Sequence, residues 1–207
     1  MLVSSISSST NSKNEKEILT VAVAEEPAYI SLNRNHALYG KMFWKEQTQQ
    51  QLEFQALTDS DIVNRYMAFS TLLDQEKVKL VKNIDDQISP FVLSFYGKIL
   101  VNTKLTPEVK ALFLAITESV RDEEVMHKYQ EIYAAKEKLR KTISTMYQTE
   151  LLALYRKFAA EKFTGIYIEQ QLAGMKNRDL KNLVLSLLAS LDDKETWALV
   201  KKQLENA

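Results

Sequence analysis

Two histidines, His36 and His127, and no cysteine set the limits of the chemistry open to this chain of 207 residues. Disulfides, thiolate metal sites and cysteine nucleophiles are excluded outright. A His-Glu-x-x-His zinc site needs two imidazoles one helical turn apart, with the glutamate between them as base. His36 and His127 fall in different elements, so that site is not encoded here. Glu124-Val125-Met126-His127 does match Glu-x-x-His, the half-motif of di-iron helical bundles. A dinuclear centre needs a second copy, and no further histidine exists to supply it. With Asp122 and Glu123 beside them, these residues read better as a solvated, charged helix face. Lys136, Lys138, Arg140 and Lys141 form a basic cluster that could meet a phosphate. Glu131 and Glu137 lie at pairing distance along the same predicted helix, so a mixed-charge solvated face is the preferred reading. No Gly-x-Ser-x-Gly elbow frames a serine nucleophile. The sequence therefore predicts no catalytic, cofactor-binding or metal-ligating residue.

The elements around these residues are predominantly helical. Four glycines and three prolines are too few to punctuate a many-stranded fold, while 45% hydrophobic residues supply a core. Lys plus Arg and Asp plus Glu both number 27, which removes a whole-chain electrostatic case for nucleic acid or an anionic membrane. No apolar run approaches the ~20 residues of a spanning helix. The stretch Met1 to Thr10 has no Lys or Arg before its short apolar core and makes a poor secretory signal. Together with the missing cysteines, this gives an expected cytoplasmic location. Residues 1–16 read as a flexible, Ser-rich lead-in.

Residues 17–46 read as a β segment. Its patches are Ile18, Leu19, Val21 and Val23, then Tyr29, Ile30 and Leu32, then Leu38, Met42, Phe43 and Trp44. Residues 47–207 read as a helical domain. Gln49 to Leu57 makes a short helix, and Asp59 or Ser60 caps a long one whose face carries Ile62, Tyr66, Phe69, Leu72, Leu73, Val78, Leu80 and Val81. Ser89-Pro90 and Thr106-Pro107 are N-cap plus N1-proline pairs, which start helices over 90–101 and 107–117. Residues 121–161 predict one broken helix or two consecutive ones. Gly165 and Gly174 bracket a short element, Asn177 or Asp179 caps a helix to Ala189, and Asp192 caps the last one to Gln203. Aromatic residues on these faces are expected in the core. The expected fold class is mainly α: an irregular α-α superhelix, a HEAT- or ARM-like helical array, with a small N-terminal β segment. Lys201 to Ala207 stop on a polar helical stretch with no terminal cap, so the array reads as incomplete at that end.

Several blocks, in order, resemble the aminopeptidase N family of zinc metallopeptidases in its bacterial alanyl-aminopeptidase form. Pro27-Ala28-Tyr29-Ile30-Ser31-Leu32-Asn33-Arg34 is similar to that family's Pro-x-x-Ser-Leu-x-Arg segment. Asp59-Ser60-Asp61 with Asn64-Arg65-Tyr66 and Ala68 resembles its Asp-Ser-Asp…Asn-Arg-Trp-x-Ala helix start. Thr103 to Leu114, Tyr129 to Phe158 and Arg178-Asp179-Leu180-Lys181-Asn182-Leu183 resemble the helices that follow. Asn35-His36-Ala37-Leu38 departs from the family's Gly-Phe-Ser-Ala-Pro run, and Thr117-Glu118-Ser119 stands where Leu-Pro-Ser-Glu is usual. Gly174-Met175-Lys176-Asn177 superficially resembles the substrate-anchoring Gly-Ala-Met-Glu-Asn motif. It lacks the glutamate that binds the substrate's amine, so a helix-to-helix turn is the preferred reading.

The resemblance implies the end of an Ig-like β domain followed by the first part of a helical C-terminal domain. That helical domain closes over the catalytic domain and supplies no zinc ligand. The expected function is thus non-catalytic: a fragment or truncated relative that shapes and gates the peptide chamber of a zinc aminopeptidase. Its expected partner is the catalytic part of such an enzyme, or a second copy of itself. The alternative is a stand-alone helical-repeat module that binds another protein. Neither reading involves nucleic acid, membrane or a cofactor of its own.

Overall fold

The computed structural model of the protein describes residues 22, 24–34, 46–160 and 167–205. Eight helices make up the described part: α1 (Gln49–Thr58), α2 (Ile62–Lys82), α3 (Pro90–Val101), α4 (Pro107–Leu114), α5 (Tyr129–Met146), α6 (Gln148–Ala159), α7 (Ile168–Ala189) and α8 (Lys194–Glu205). Beyond neighbours in sequence, α2 packs on α5, α3 on α6 and α4 on α7. Each of these helices thus rests on the third one after it. That is the contact pattern of stacked units in a helical-repeat array.

Local chemistry sets the helix ends. Thr48 closes a capping box on α1: its Oγ1 accepts the Gln51 N–H at 3.2 Å, and Gln51 Oε1 accepts the Thr48 N–H at 2.9 Å. The cap of α2 is Asp61, one or two residues later than expected, with Oδ1 accepting from Val63 and Asn64 at 2.9 and 3.1 Å. Asp59 is drawn off to another task. It is 2% exposed, accepts from the Asp61 N–H at 2.9 Å and from Gln55 Nε2 at 3.1 Å, and lies 3.5 Å from Arg34. A buried carboxylate needs several donors and a cation, and only that corner supplies them. The two proline-started helices begin at Pro90 and Pro107, as their sequences dictate. The second stops at Leu114 rather than residue 117, because Ala115 turns to extended backbone.

Residues 121–128 form turns, so the long segment resolves into α5 and α6 divided at Tyr147. Tyr147 leaves the helical region (φ −120°, ψ 30°), and its hydroxyl donates to the Leu93 carbonyl at 2.9 Å. Gly97, one turn further along α3, makes room for that ring.

Four aromatic rings anchor the core between α2, α3 and α4. Phe69 stacks on Phe95 with centroids 3.9 Å apart, Tyr96 meets Phe69 edge-on at 5.5 Å, and Phe113 lies 5.6 Å from Phe95. Such pairs add about 0.5–1.5 kcal/mol each beyond the area they bury. The core continues without a break through Leu139 and Ile143 of α5, Leu151 of α6, and Leu180, Val184 and Leu188 of α7. The expected aromatic core members Tyr96, Phe113, Tyr155 and Phe158 are buried, and Tyr147 is half-buried against them. Tyr129, Tyr133 and Trp197 are instead exposed.

The small β segment finds no support. Its first and third patches, and the lead-in 1–16, lie outside the described residues. Its middle patch, around Tyr29, Ile30 and Leu32, is described and holds no strand. That stretch docks through side chains instead: Asn64 Nδ2 donates to Ser31 Oγ at 2.7 Å and to the Leu32 carbonyl at 3.0 Å. No helix among the described residues is long and apolar enough to cross a membrane.

Candidate functional site

The residues singled out for chemistry do not gather in one place. His36 lies outside the described residues. His127 and Glu124 sit in the turn before α5, both exposed, so the Glu-x-x-His half-motif is not on a helix and the charged-helix-face reading is corrected with it. Asp122 opens that turn by accepting the Glu124 N–H at 2.9 Å, which competes with helical pairing. Glu124 comes within 3.9 Å of Lys82. Among the described residues no three His, Asp or Glu side chains converge as a metal cradle.

Gly174 to Asn177 are continuous helix within α7, and Asn177 and Asp179 lie in its interior rather than at a cap. The turn expected at Gly174 is therefore absent. A helical glycine costs about 1 kcal/mol against alanine. Packing of α7 on α4, α5, α6 and α8, with Lys176 paired to Glu108 of α4, overrides that preference. The last helix is capped by Asp193, whose Oδ1 accepts the Thr196 N–H at 2.7 Å. Asp192, the expected cap, adopts a left-handed φ of 55° and accepts the Trp197 indole N–H at 2.7 Å.

The basic cluster on α5 keeps part of the expected mixed-charge pairing, since Glu137 lies 3.1 Å from Arg140, but most of its cations are engaged with other parts of the fold. Lys136 is buried and lies 2.5 Å from Glu118 and 3.4 Å from Glu137, with its ammonium over the Tyr133 ring. Burial pulls its pKa down, but the two glutamates outweigh burial and the net shift is upward. Lys138 donates to the carbonyls of Ile84 and Asp86 at 2.5 and 2.8 Å, and Arg140 donates to the carbonyl and hydroxyl of Ser186 near the end of α7. Lys110 does the same for Leu100 at the end of α3 (3.0 Å), and Arg65 for Ala56 near the end of α1 (3.3 Å). Terminal carbonyls of a helix lack intrahelical donors and carry partial negative charge. Arg140, Lys110 and Arg65 satisfy both needs from another helix, whereas Lys138 holds the turn that follows α2. These side chains tie one helix to the next.

One cluster of charge lies beside a hollow. Residues 115–121 cross α2 as an extended strap. Between strap and helix is a notch of about 150 Å³ whose wall includes Tyr66, Phe69, Leu73 and Phe113 with Lys77 and Arg121. Lys77 is 4% exposed; it donates to the Ser119 carbonyl and lies 3.4 Å from Asp74. Burial lowers its pKa most, Asp74 opposes that, and Arg121 adds to the lowering. The Arg121 N–H donates to Asp74 at 3.1 Å, and its Nη2 donates to Ser70 Oγ at 3.2 Å. Sequence reasoning passed over this site. Its one signal was a lysine four residues after Leu73 and three before Leu80, on the buried stripe of α2.

The surface has an apolar feature of a different kind. Ile168, Leu172 and Met175 recur at four- and three-residue steps along α7 and are 72, 52 and 44% exposed. Trp197 and Leu204 of α8 are also exposed.

Helices that rest on the third following helix and share one unbroken core define an ARM-type helical-repeat domain. This chain belongs to the family described as a domain of unknown function (DUF3458_C) with ARM repeats, which matches residues 49–207. Among solved structures it is similar to aminopeptidase A of Legionella pneumophila, solved in complex with aspartic acid, at 16% identity and a TM-score of 0.63. That likeness covers 79% of this chain and 20% of the Legionella chain, so this chain spans about a fifth of that protein's length. No curated protein matches the sequence. The match is of helical domain to helical domain, and the resemblance to the helical C-terminal domain of the aminopeptidase N family, drawn from the ordered sequence blocks, stands.

Proposed function

We propose that this domain is a non-catalytic structural element of an aminopeptidase N-type assembly, packing against a separate zinc-bearing catalytic part and helping to wall its peptide chamber. The single observation that carries this reading is the Ile168–Leu172–Met175 stripe of α7. Three large apolar side chains on one face of a helix stay exposed, whereas Leu180, Val184, Leu185, Leu187 and Leu188 further along α7 are buried. A contiguous exposed apolar face is a feature of interaction surfaces. The ordered sequence blocks that resemble aminopeptidase N support the choice of partner, because that resemblance implies a helical domain that closes over a catalytic domain. The absence of cysteine fits action in a reducing compartment, and the cytoplasm is the location proposed.

The test is association with the catalytic part of an aminopeptidase from the same genome, produced separately. Leu172→Glu with Ile168→Glu should abolish binding while leaving the circular dichroism of the domain unchanged. With zinc supplied, the purified domain alone should not turn over alanyl chromogenic substrates. Turnover by the domain alone, or binding indifferent to the double substitution, defeats the proposal. Self-association through the same stripe would show as a concentration-dependent dimer that the double substitution dissolves, and would replace the catalytic part as partner.

A further inference from the structure

We propose that the α1–α2 corner is a seat for an extended peptide segment, filled by the chain's own residues 29–34, and that this segment can leave the seat while the helices stay folded. The inference concerns the start of α2 and does not depend on the α7 stripe.

The seat is built by the helices themselves. Asp59 is buried, and Gln55 of α1 and the Asp61 N–H hold its two oxygens at 3.1 and 2.9 Å. A buried carboxylate also needs a cation near it. Arg65 of α2 supplies one, since its guanidinium feels the Asp59 charge. Phe54 of α1 keeps an exposed ring, and Asn64 stands in the first turn of α2. Helix backbone and their mutual bonds place these groups, so the seat does not need the segment in order to form.

The segment is matched to the seat at three points. Tyr29 sets its ring 5.8 Å from that of Phe54. Asn64 Nδ2 donates to the Ser31 hydroxyl at 2.7 Å and to the Leu32 carbonyl at 3.0 Å, which fixes the register. Asn33 takes a left-handed φ of 51°, a conformation that asparagine tolerates. Arg34 donates to Ser60 Oγ at 2.5 Å and lies 3.5 Å from Asp59. A ring, a hydroxyl and a cation at positions 29, 31 and 34 thus each meet a separate group of the corner.

What holds the segment is slight. No residue from 29 to 34 is buried, and none joins the hydrophobic core. Ordering the segment costs backbone entropy at every residue, against a few side-chain bonds in return. Arg34 is partly exposed, so water and salt screen its attraction to Asp59. Elements with few buried apolar contacts open at free energies far below that of global unfolding. On release Asp59 keeps Arg65 and its two donors, so the corner survives empty. The chain ahead of residue 29 is thereby fastened to the helices or freed from them.

The test is an amide heteronuclear NOE measurement on the whole chain, with thermal unfolding followed by circular dichroism alongside. Residues 29–33 should be ordered in the parent. Arg34→Gln combined with Asn64→Ala should bring them to the values of free chain with the melting temperature retained. Arg34→Gln alone alters no helix residue and should show the same loss in part, even if Asn64→Ala fails to fold. A synthetic peptide of residues 27–34, added to the Arg34→Gln chain, should give saturable shifts at Phe54, Ser60 and Asn64. The same peptide carrying Arg34→Gln should bind about tenfold more weakly, the worth of one charge-assisted hydrogen bond. Residues 29–33 that stay ordered in the double variant overturn the inference, as does a melting temperature that falls with their release. Absence of saturable peptide shifts, or equal binding of the two peptides, removes the seat.

Discussion

Gly97→Ala offers a test in which two rules point in opposite directions. Gly97 lies inside α3, where helix propensity alone favours alanine by about 1 kcal/mol. A β-carbon at that position, however, falls 2.7 Å from Cζ and Oη of Tyr147 and 2.8 Å from its Cε1. Carbon atoms pack best at about 3.5–4.0 Å, so the ring must move by the better part of an ångström. Overpacking of this kind costs about 1–3 kcal/mol. The displaced phenol also loses its 2.9 Å bond to the Leu93 carbonyl, worth about 1 kcal/mol. Setting the propensity gain against these losses leaves a net destabilisation of about 2 kcal/mol. For a chain of this size that lowers the melting temperature by about 4–8 °C. The assay is thermal and urea unfolding followed by far-ultraviolet circular dichroism. The decisive comparison repeats the substitution in a Tyr147→Ala background, where the clash is gone and alanine should stabilise by about 1 kcal/mol. A Gly97→Ala protein as stable as its parent with Tyr147 in place, or the same effect in both backgrounds, refutes the packing argument.

Other outcomes follow from single groups. Tyr96→Phe removes a buried hydroxyl that has no partner, so stability should hold or rise by about 1 kcal/mol, measured by urea unfolding. Burial raises the Tyr96 pKa above its usual 10.0, so above that pH the unfolded chain loses a proton that the folded chain keeps. Stability therefore falls as pH rises past 10, and Tyr96→Phe should flatten that fall. Lys136 has the opposite character. Its pKa is raised above 10.5 by Glu118 and Glu137, so its contribution is complete below that value and disappears as pH climbs through the higher folded one. The stability gap between the parent and Lys136→Met should accordingly narrow in alkaline urea titrations. Asp61→Ala should cost about 1 kcal/mol as the loss of an N-cap, whereas Ser60→Ala, next to it and exposed, should change stability by less than about 0.5 kcal/mol.

The starts of α1, α3 and α4 and the buried face of α2 are legible in the amino-acid sequence. Pro90 and Pro107 mark their helix starts because a proline at the first helical position loses no hydrogen bond. The stripe from Tyr66 through Phe69 and Leu73 to Leu80 is legible because helical periodicity is a local property. The lack of cysteine and of a second histidine near His127 likewise narrows the chemistry without any coordinates.

What tertiary structure alone decided are the matters in which a distant partner competes with a local preference. Asp59 and Ser60 are the candidate caps on paper, but Asp59 is withdrawn by Gln55 and Arg34, and Asp61 takes the position. Gly174 reads as a turn until α7 is seen packed along α4 and α6, where many contacts outweigh one residue's backbone entropy. Lys136, Lys138 and Arg140 read as part of a mixed-charge solvated face because charge is visible in sequence. The backbone carbonyls of Ile84, Asp86 and Ser186 and the carboxylate of Glu118 that absorb them lie 18 to 54 residues away. The notch at Lys77 and Arg121 exists only once the 115–121 strap is laid over α2, since no spacing rule brings together residues 44 positions apart.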